Sequence, residues 1–484
     1  MKNKILNQVL ILSACNIVTT SLFFFYRVLI SRQISSEGMG LFTFAMTAYF
    51  LFYSFSSGGI AVSISKNIAE NSNIKGYPEK VKFIIGRFVL LLSFIVTMIF
   101  LLLNGWICNN IYKTPILQNN LYPLIFCVII VSQSAIYKGY FYGLQKPLTP
   151  ALAEIFENIM RISIVSLIFM TFTLDWNKKI FVSILGIPIG EISSFSFLLI
   201  GYLIKNKSIR LSVTFSDLSK IIVDVLKISI PLAIIGILSN VFQTIENSVV
   251  PKLFQNNNIN FEKAISIFGV INGMSYPVAF LPAVLITSLS TVIVPTVSEL
   301  HGNKKALSRR INKFILVTIA ISLPIMVIYY IYPNEICFLL FKNKEAGIYL
   351  KAIVPALSFY YLSITLSSIL NALSEASFNF YQNTVISILR LASYITFLGL
   401  FRDIKWYIIL TNVFAVITCI VMIGRISKVK FDFDKNIYKK IIYLTLACVI
   451  AVIISFIIPT KSILLNIITI VSVYFLFCAI IIAR

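Results

Sequence analysis

Apolar residues run through this chain in long blocks separated by short polar stretches, and the blocks have the length of a bilayer-crossing helix, about 20 residues. The blocks fall at 5–31, 38–65, 83–106, 120–142, 150–172, 179–203, 226–250, 264–296, 313–332, 350–372, 377–400, 406–424, 440–458 and 463–482. The pattern predicts an all-α integral membrane protein with about 14 transmembrane helices. The first block has a core from Ile5 to Tyr26, longer than the apolar part of a signal peptide, and no A-x-A site follows it. It reads as a retained first helix. Near Ser374–Tyr381 the break between two blocks is short, and the count could differ by one there.

Composition points the same way. Of 484 residues, 58% are hydrophobic and 12% charged, against about 45–50% apolar and about 25% charged in soluble domains. A net charge of +23 would suit nucleic acid, but the basic residues sit in short clusters between apolar blocks. That is the mark of cytoplasmic loops facing anionic lipid. With the N-terminus inside, most of the 41 Lys and Arg fall on the inner side, and Arg87, Arg161 and Arg390 fall within helices. The bias puts both termini in the cytoplasm of a multi-pass cell-membrane protein, which suits an even number of helices.

Several chemistries are excluded or disfavoured. The seven cysteines (Cys15, Cys108, Cys127, Cys337, Cys419, Cys448 and Cys478) show no CxxC spacing and read as buried small hydrophobes. The one histidine, His301, lies in a polar loop, so neither a His-based metal site nor a His-based catalytic site is expected. No GxxxxGK[ST] occurs, so the chain carries no ATPase module of its own. No cofactor is expected.

Membrane transporters are often built from repeats. A shift of 229 residues lays Gly40 on Gly269, Glu70 on Glu299 and Arg161 on Arg390 without adjustment. Such a shift spans six helices and keeps the orientation of each half. The expected organisation is an N-terminal lobe (1–204), an amphipathic cytoplasmic linker (205–227), a C-terminal lobe (228–424) and two further helices (425–484). The lobes would be two pseudo-symmetric six-helix bundles.

Charges inside the apolar blocks carry the candidate chemistry, since one at the bilayer centre costs roughly 2.5–3.5 kcal/mol on insertion scales. Arg27 and Arg32 end the first block; they either snorkel to headgroups or form a cationic pocket for a phosphate-bearing substrate. In the fifth block Pro150 suits the first turn, and Glu157 and Arg161 are an i, i+4 pair. With Glu154 they make either a brace within the lobe or a site for a coupling proton or cation. Arg390 has no acid one turn away and needs a partner from another helix or from substrate. Glu246, shortly before Pro251, is a solvated helix end or an outer gate reaching Arg27 or Arg32. Glu70 and Glu299, at inner helix ends, are solvated or form an inner gate. Pro277, Pro282 and Pro295 in the eighth block predict a bent helix.

The runs RVLISRQISSEGMGLFTFAM, GYFYGLQKPLTPALAEIFENIMRI and SLSTVIVPTVSE resemble the stage V sporulation protein B family. That family belongs to the polysaccharide-transporter branch of the multidrug/oligosaccharidyl-lipid/polysaccharide exporter superfamily, near the MurJ-type lipid II flippases. The resemblance implies two lobes around a central cavity, the MATE-like fold, and alternating access without ATP hydrolysis. It implies an undecaprenyl pyrophosphate-linked saccharide as substrate, membrane lipid as surroundings and cell-wall polymerases as candidate partners. It also makes Arg27 and Arg32 the matches of arginines thought to grip the pyrophosphate. Lipid II flippases place further arginines on helices 2 and 8. This chain has no charge between Gly38 and Ser65, nor between Ala264 and Ser298. That thinner cationic cavity leaves lipid-linked saccharides other than lipid II open.

The function expected is a flippase for cell-wall, spore-cortex or exopolysaccharide precursors, coupled to Na+ or H+ if to any ion. The alternatives are a multidrug or cation antiporter of the same superfamily, which usually stops at twelve helices, and a non-transporting wall-synthesis scaffold. A membrane-embedded glycosyltransferase would need a large polar outer loop or a clear carboxylate constellation, and the outer loops are short.

Overall fold

The computed structural model describes residues 2–74, 76–205, 215–255, 259–300, 304–428, 437–457 and 463–483. Among them the chain is helical almost throughout, with no β-strand. The helices are α1 (Lys2–Ser57), α2 (Ile60–Glu70), α3 (Tyr77–Trp106), α4 (Leu117–Gly143), α5 (Leu148–Thr171), α6 (Trp176–Lys205), α7 (Phe215–Leu253), α8 (Phe261–Gly269) and α9 (Tyr276–Phe280). There follow α10 (Ala283–Glu299), α11 (Lys304–Ile331), α12 (Pro333–Phe341), α13 (Glu345–Ile353), α14 (Leu357–Ala372), α15 (Ala376–Phe401), α16 (Lys405–Lys428), α17 (Ile437–Ile457) and α18 (Ile463–Ala483).

Every apolar block of the sequence lies on helix. Among the described residues, 9 helices are long and apolar enough to cross a membrane, or 10 with one bent pair. One of these runs, Ile11–Glu70, is 60 residues long. At 1.5 Å per residue it is roughly 90 Å long, three times the hydrocarbon thickness, so it holds more than one crossing. It is interrupted at Ser35, at φ 64, and again at Gly59, at φ 72, between α1 and α2. The close pair of blocks near Ser374 separates cleanly, because Ser374 takes φ 63 between α14 and α15.

The eighth block is broken as its prolines predict. A π-turn at Val270–Ser275 precedes α9, and the helix bends by 52° around Leu281–Pro282 before α10. A π-turn also closes α3, at Ile107–Ile111. Of the cysteines, six are buried and Cys15 is half-buried, and all are free thiols. His301 lies outside the described residues.

Two compact units divide the chain, Met1–Gly269 and Val270–Arg484. In the first, Ile60, Ile64 and Ile68 of α2 pack with Val81, Ile85 and Val89 of α3 and with Tyr137 and Tyr140 of α4. Spacings of three or four residues put each set on one helix face. Ile221 and Val225 join the same core, while Asp217 on that stretch pairs with Lys80 at 3.0 Å. From residue 215 on, the expected linker is the first part of α7, with Ile221 and Val225 buried and Lys220 and Lys227 exposed; residues 206–214 lie outside the description.

Within the first unit α1 crosses α8 where Gly40 meets Gly269. A Cβ on Gly40 would lie 2.6 Å from the Ile265 carbonyl oxygen, and one on Gly269 would lie 2.5 Å from the Gly40 nitrogen. Only the absence of side chains allows this approach. These are the two glycines that the shift of 229 superposes.

The second unit packs Leu366 and Ile369 of α14, Cys419 and Met422 of α16, Leu444 and Cys448 of α17 and Tyr474 of α18 into one core with α11. Large side chains elsewhere face outward: Leu102 is 82% exposed, Met170 86% and Leu400 78%. In water such a surface would aggregate; in a bilayer it is the lipid-facing wall.

Candidate functional site

Helix α5 carries Glu154, Glu157, Asn158 and Arg161 on one face, since spacings of three, four and seven residues return to the same side. That face turns inward. Glu157 is 8% exposed, Asn158 3% and Arg161 3%. The guanidinium of Arg161 donates from Nη2 to Glu157 Oε1 at 2.5 Å, from Nη1 to Asn158 Oδ1 at 2.9 Å and from Nε to the Gly186 carbonyl at 3.3 Å. It also lies 5.4 Å from the centre of the Phe23 ring and 5.7 Å from that of Tyr26. Asn158 in turn donates to the Glu154 carbonyl at 2.8 Å. Helix α6 approaches closely here because position 190 is glycine; a Cβ there would sit 2.8 Å from Arg161 Nη2.

One turn before Glu157, Glu154 faces α4 and accepts from Lys138 Nζ at 3.0 Å. Opposite them on α6 is Glu191, whose Oε2 is buried and accepts no hydrogen bond. These five side chains line one cavity of about 350 Å³, with Phe23 and Tyr49 from α1. It contains three carboxylates and two cations. Two ion pairs lessen the cost of their own burial, and one acid is left over. A buried carboxylate oxygen without a donor is a place for a proton or a small cation.

The structure thus brings together Glu154, Glu157 and Arg161 as the sequence suggests, but Glu154 belongs to a different ion pair from the other two. Sequence reasoning passed over Lys138 and Glu191. Lys138 lies near the end of its apolar block, where a boundary count assigns it to a loop. Glu191 is a lone acid in an apolar run (GIPIGEISSF), a charge inside a spanning block like Glu157, and was legible.

The other candidates are spread out. Arg27 is half-buried on α1 and shares Phe23 with Arg161, its guanidinium 5.5 Å from the ring centre. Arg32 is exposed, three residues before the break at Ser35. Glu246 is half-buried on α7. Glu70 is exposed at the end of α2, 3.8 Å from Lys66. In the second unit Glu299 is exposed at the end of α10, and Arg390 is half-buried on α15, close enough for its charge to act on Tyr360.

The shift of 229 pairs Lys138 with Ser367, Glu154 with Asn383, Glu157 with Ile386 and Glu191 with Ile420. In the second unit Asn379 donates to Ser367 at 2.7 Å and accepts from Asn383 at 3.5 Å. Neutral amides and a hydroxyl stand there in place of the ion pairs. At these matched positions the paired charges lie in the first unit.

A model of polysaccharide biosynthesis proteins matches residues 5–301, and a MatE model matches residues 265–395. The chain is 27% identical over 390 residues to stage V sporulation protein B of Bacillus subtilis (strain 168), spanning 78% of this chain and 74% of that one. It is 22% identical over 392 residues to sporulation protein YkvU of the same organism, spanning 79% and 85%. Among solved structures, the inward closed conformation of the lipid II flippase MurJ superposes with a TM-score of 0.75 at 18% identity, covering 97% of this chain and 98% of that one. An inward-facing multidrug resistance MATE family transporter of the MOP superfamily gives 0.67 at 14%, covering 85% and 95%. The fold is the one these transporters share.

Proposed function

Because the chain belongs to the polysaccharide biosynthesis protein family, within the MOP superfamily of MATE-like transporters, we propose that it is a flippase for a lipid-linked saccharide. The substrate would be an undecaprenyl-linked precursor of cell wall, spore cortex or exopolysaccharide, carried from the inner to the outer leaflet by alternating access of two six-helix lobes. Both termini would lie in the cytoplasm. Arg27, Arg32 and Arg390 are the residues proposed to meet the pyrophosphate, because guanidinium forks match phosphate oxygens. Glu70, Glu246 and Glu299 are the proposed gate residues. Wall polymerases would act on the delivered precursor.

The observation that carries the reading is the cavity with three acids and two bases. A wall needs no surplus charge in a bilayer, whereas a transporter without ATPase needs a site whose occupancy changes during the cycle. Lys138 neutralises Glu154 and Arg161 neutralises Glu157, so Glu191 is the group proposed to take up H+ or Na+. The groups facing it are Lys138 from α4, Glu154, Glu157 and Arg161 from α5, and Tyr49 from α1. The runner-up, a drug or cation antiporter, draws on the MatE match over 265–395.

The test is rescue of a cell depleted of its lipid II flippase, comparing wild type with Arg27→Ala/Arg32→Ala at matched expression. Rescue lost only in the variant supports pyrophosphate recognition of a peptidoglycan precursor. No rescue by well-expressed wild type points to another lipid-linked saccharide or to drug export. Rescue by both places the substrate site elsewhere.

A further inference from the structure

A second cavity, about 360 Å³, lies in the first unit on another face of α1. The charged cavity is lined from α1 by Met46, Tyr49 and Phe50; this one by Ala48, Leu51, Phe52 and Phe55. Its opposite wall is the stripe Val96, Ile99, Leu103 of α3, continuing to Ile107 and Ile111 in the π-turn. No charged side chain lines it. From Val96 to Ile111 the stripe runs roughly 22 Å at 1.5 Å per residue, about one and a half times one leaflet's share of a hydrocarbon core about 30 Å thick.

The end at Ile111 bears the signs of a membrane boundary. Trp106, 56% exposed, borders the cavity there, and Trp gathers at headgroup depth. Lys252 of α7 donates its ammonium to the Ile111 carbonyl. Lys113, two residues further and exposed at φ 53, is close enough for the two ammonium charges to repel. Among the described residues neither lysine has a carboxylate partner. Only one of the three Lys252 donors is used in that contact.

Two uncompensated cations held together at headgroup depth, above an apolar slot one acyl chain long, have the complement of one kind of molecule. We propose that this slot binds an anionic phospholipid of the bilayer, its phosphate on Lys113 and Lys252 and one acyl chain along α3. A polyprenyl carrier is far longer than the slot, and a zwitterionic lipid would bring its own cation against the lysines. The bound lipid would support α1 from the side opposite the charged cavity.

The test uses the full-length protein in detergent, with palmitoyl-oleoyl phosphatidylglycerol, the matching phosphatidylcholine and undecaprenyl phosphate as probes, read by native mass spectrometry. Wild type is expected to retain phosphatidylglycerol over phosphatidylcholine. Lys113→Ala/Lys252→Ala should weaken that retention about ten- to thirtyfold, as two lysines near an anionic headgroup suggest, and Lys113→Arg/Lys252→Arg should keep it. Should the double alanine variant fold poorly, Lys113→Ala alone, at an exposed position, is expected to lose part of the preference, and Ala48→Phe to block both phospholipids. Equal retention of the two phospholipids by wild type overturns the proposal, as does a preference that survives loss of the lysines. Displacement of phosphatidylglycerol by undecaprenyl phosphate at equal concentration overturns it too. The readout is lipid retention, so either result leaves the flippase reading to its own test.

Discussion

Arg161 of α5 lies over Gly190 of α6 with no room for a methyl group between them. The guanidinium cannot retreat, because Glu157, Asn158 and the Gly186 carbonyl hold it on three sides. Gly190→Ala should therefore cost about 1–3 kcal/mol, as overpacking does in tight cores. On α7, a methyl added at Gly236 would meet open space, with no atom within 4 Å, so Gly236→Ala should be neutral or stabilising by about 0.4–1 kcal/mol. Thermal unfolding in detergent, comparing the two variants, checks the contrast.

Removing one member of the Glu157–Arg161 pair strands the other in a buried place. Glu157→Leu is expected to lower stability by about 3–5 kcal/mol, while Glu157→Leu/Arg161→Met should recover much of that loss. A double-mutant cycle on folded yield and melting temperature measures the coupling. Additive losses would mean that the two side chains are held independently.

Glu191 answers to a different readout. Glu191→Gln keeps the shape and removes the charge that no basic side chain pairs, so the folded yield should stay near wild type. Transport into liposomes should lose its dependence on pH or Na+. Glu154→Gln, which strands Lys138, should instead lower yield together with transport. Unchanged ion dependence in Glu191→Gln would remove that residue from the coupling site.

At the α1–α8 crossing the atoms a methyl would meet are largely backbone, which cannot swing aside. Gly40→Ala and Gly269→Ala should each destabilise by about 1–3 kcal/mol. Because they push on one contact, the double variant should cost clearly less than the sum of the two. Circular dichroism melts of the three variants decide it.

The bilayer constraint explains why so much of the fold was legible. Helix is the answer to apolar length in lipid, so the blocks fell on helices, and Pro282 marked the bend. Gly40 and Gly269, which the shift of 229 superposes, lie in contact. What the sequence hid was partnership. Nothing in the spacing of Glu154 and Lys138, 16 residues apart on different helices, says that they pair; one-dimensional periodicity relates residues on one helix only. Glu157 and Arg161 were readable because they share a helix turn. The breaks at Ser35 and Ser374 were hidden for a similar reason, since a positive φ at serine has no compositional signature.

The surplus acid of the first cavity has an electrical consequence. The cavity lies among membrane spans, so a cation that enters it from one side and leaves to the other carries charge through the membrane field. A full crossing is worth about 2.3 kcal/mol for each 100 mV. A cycle that uses this site is therefore expected to feel voltage as well as concentration, and to slow when the membrane is depolarised at constant pH and Na+.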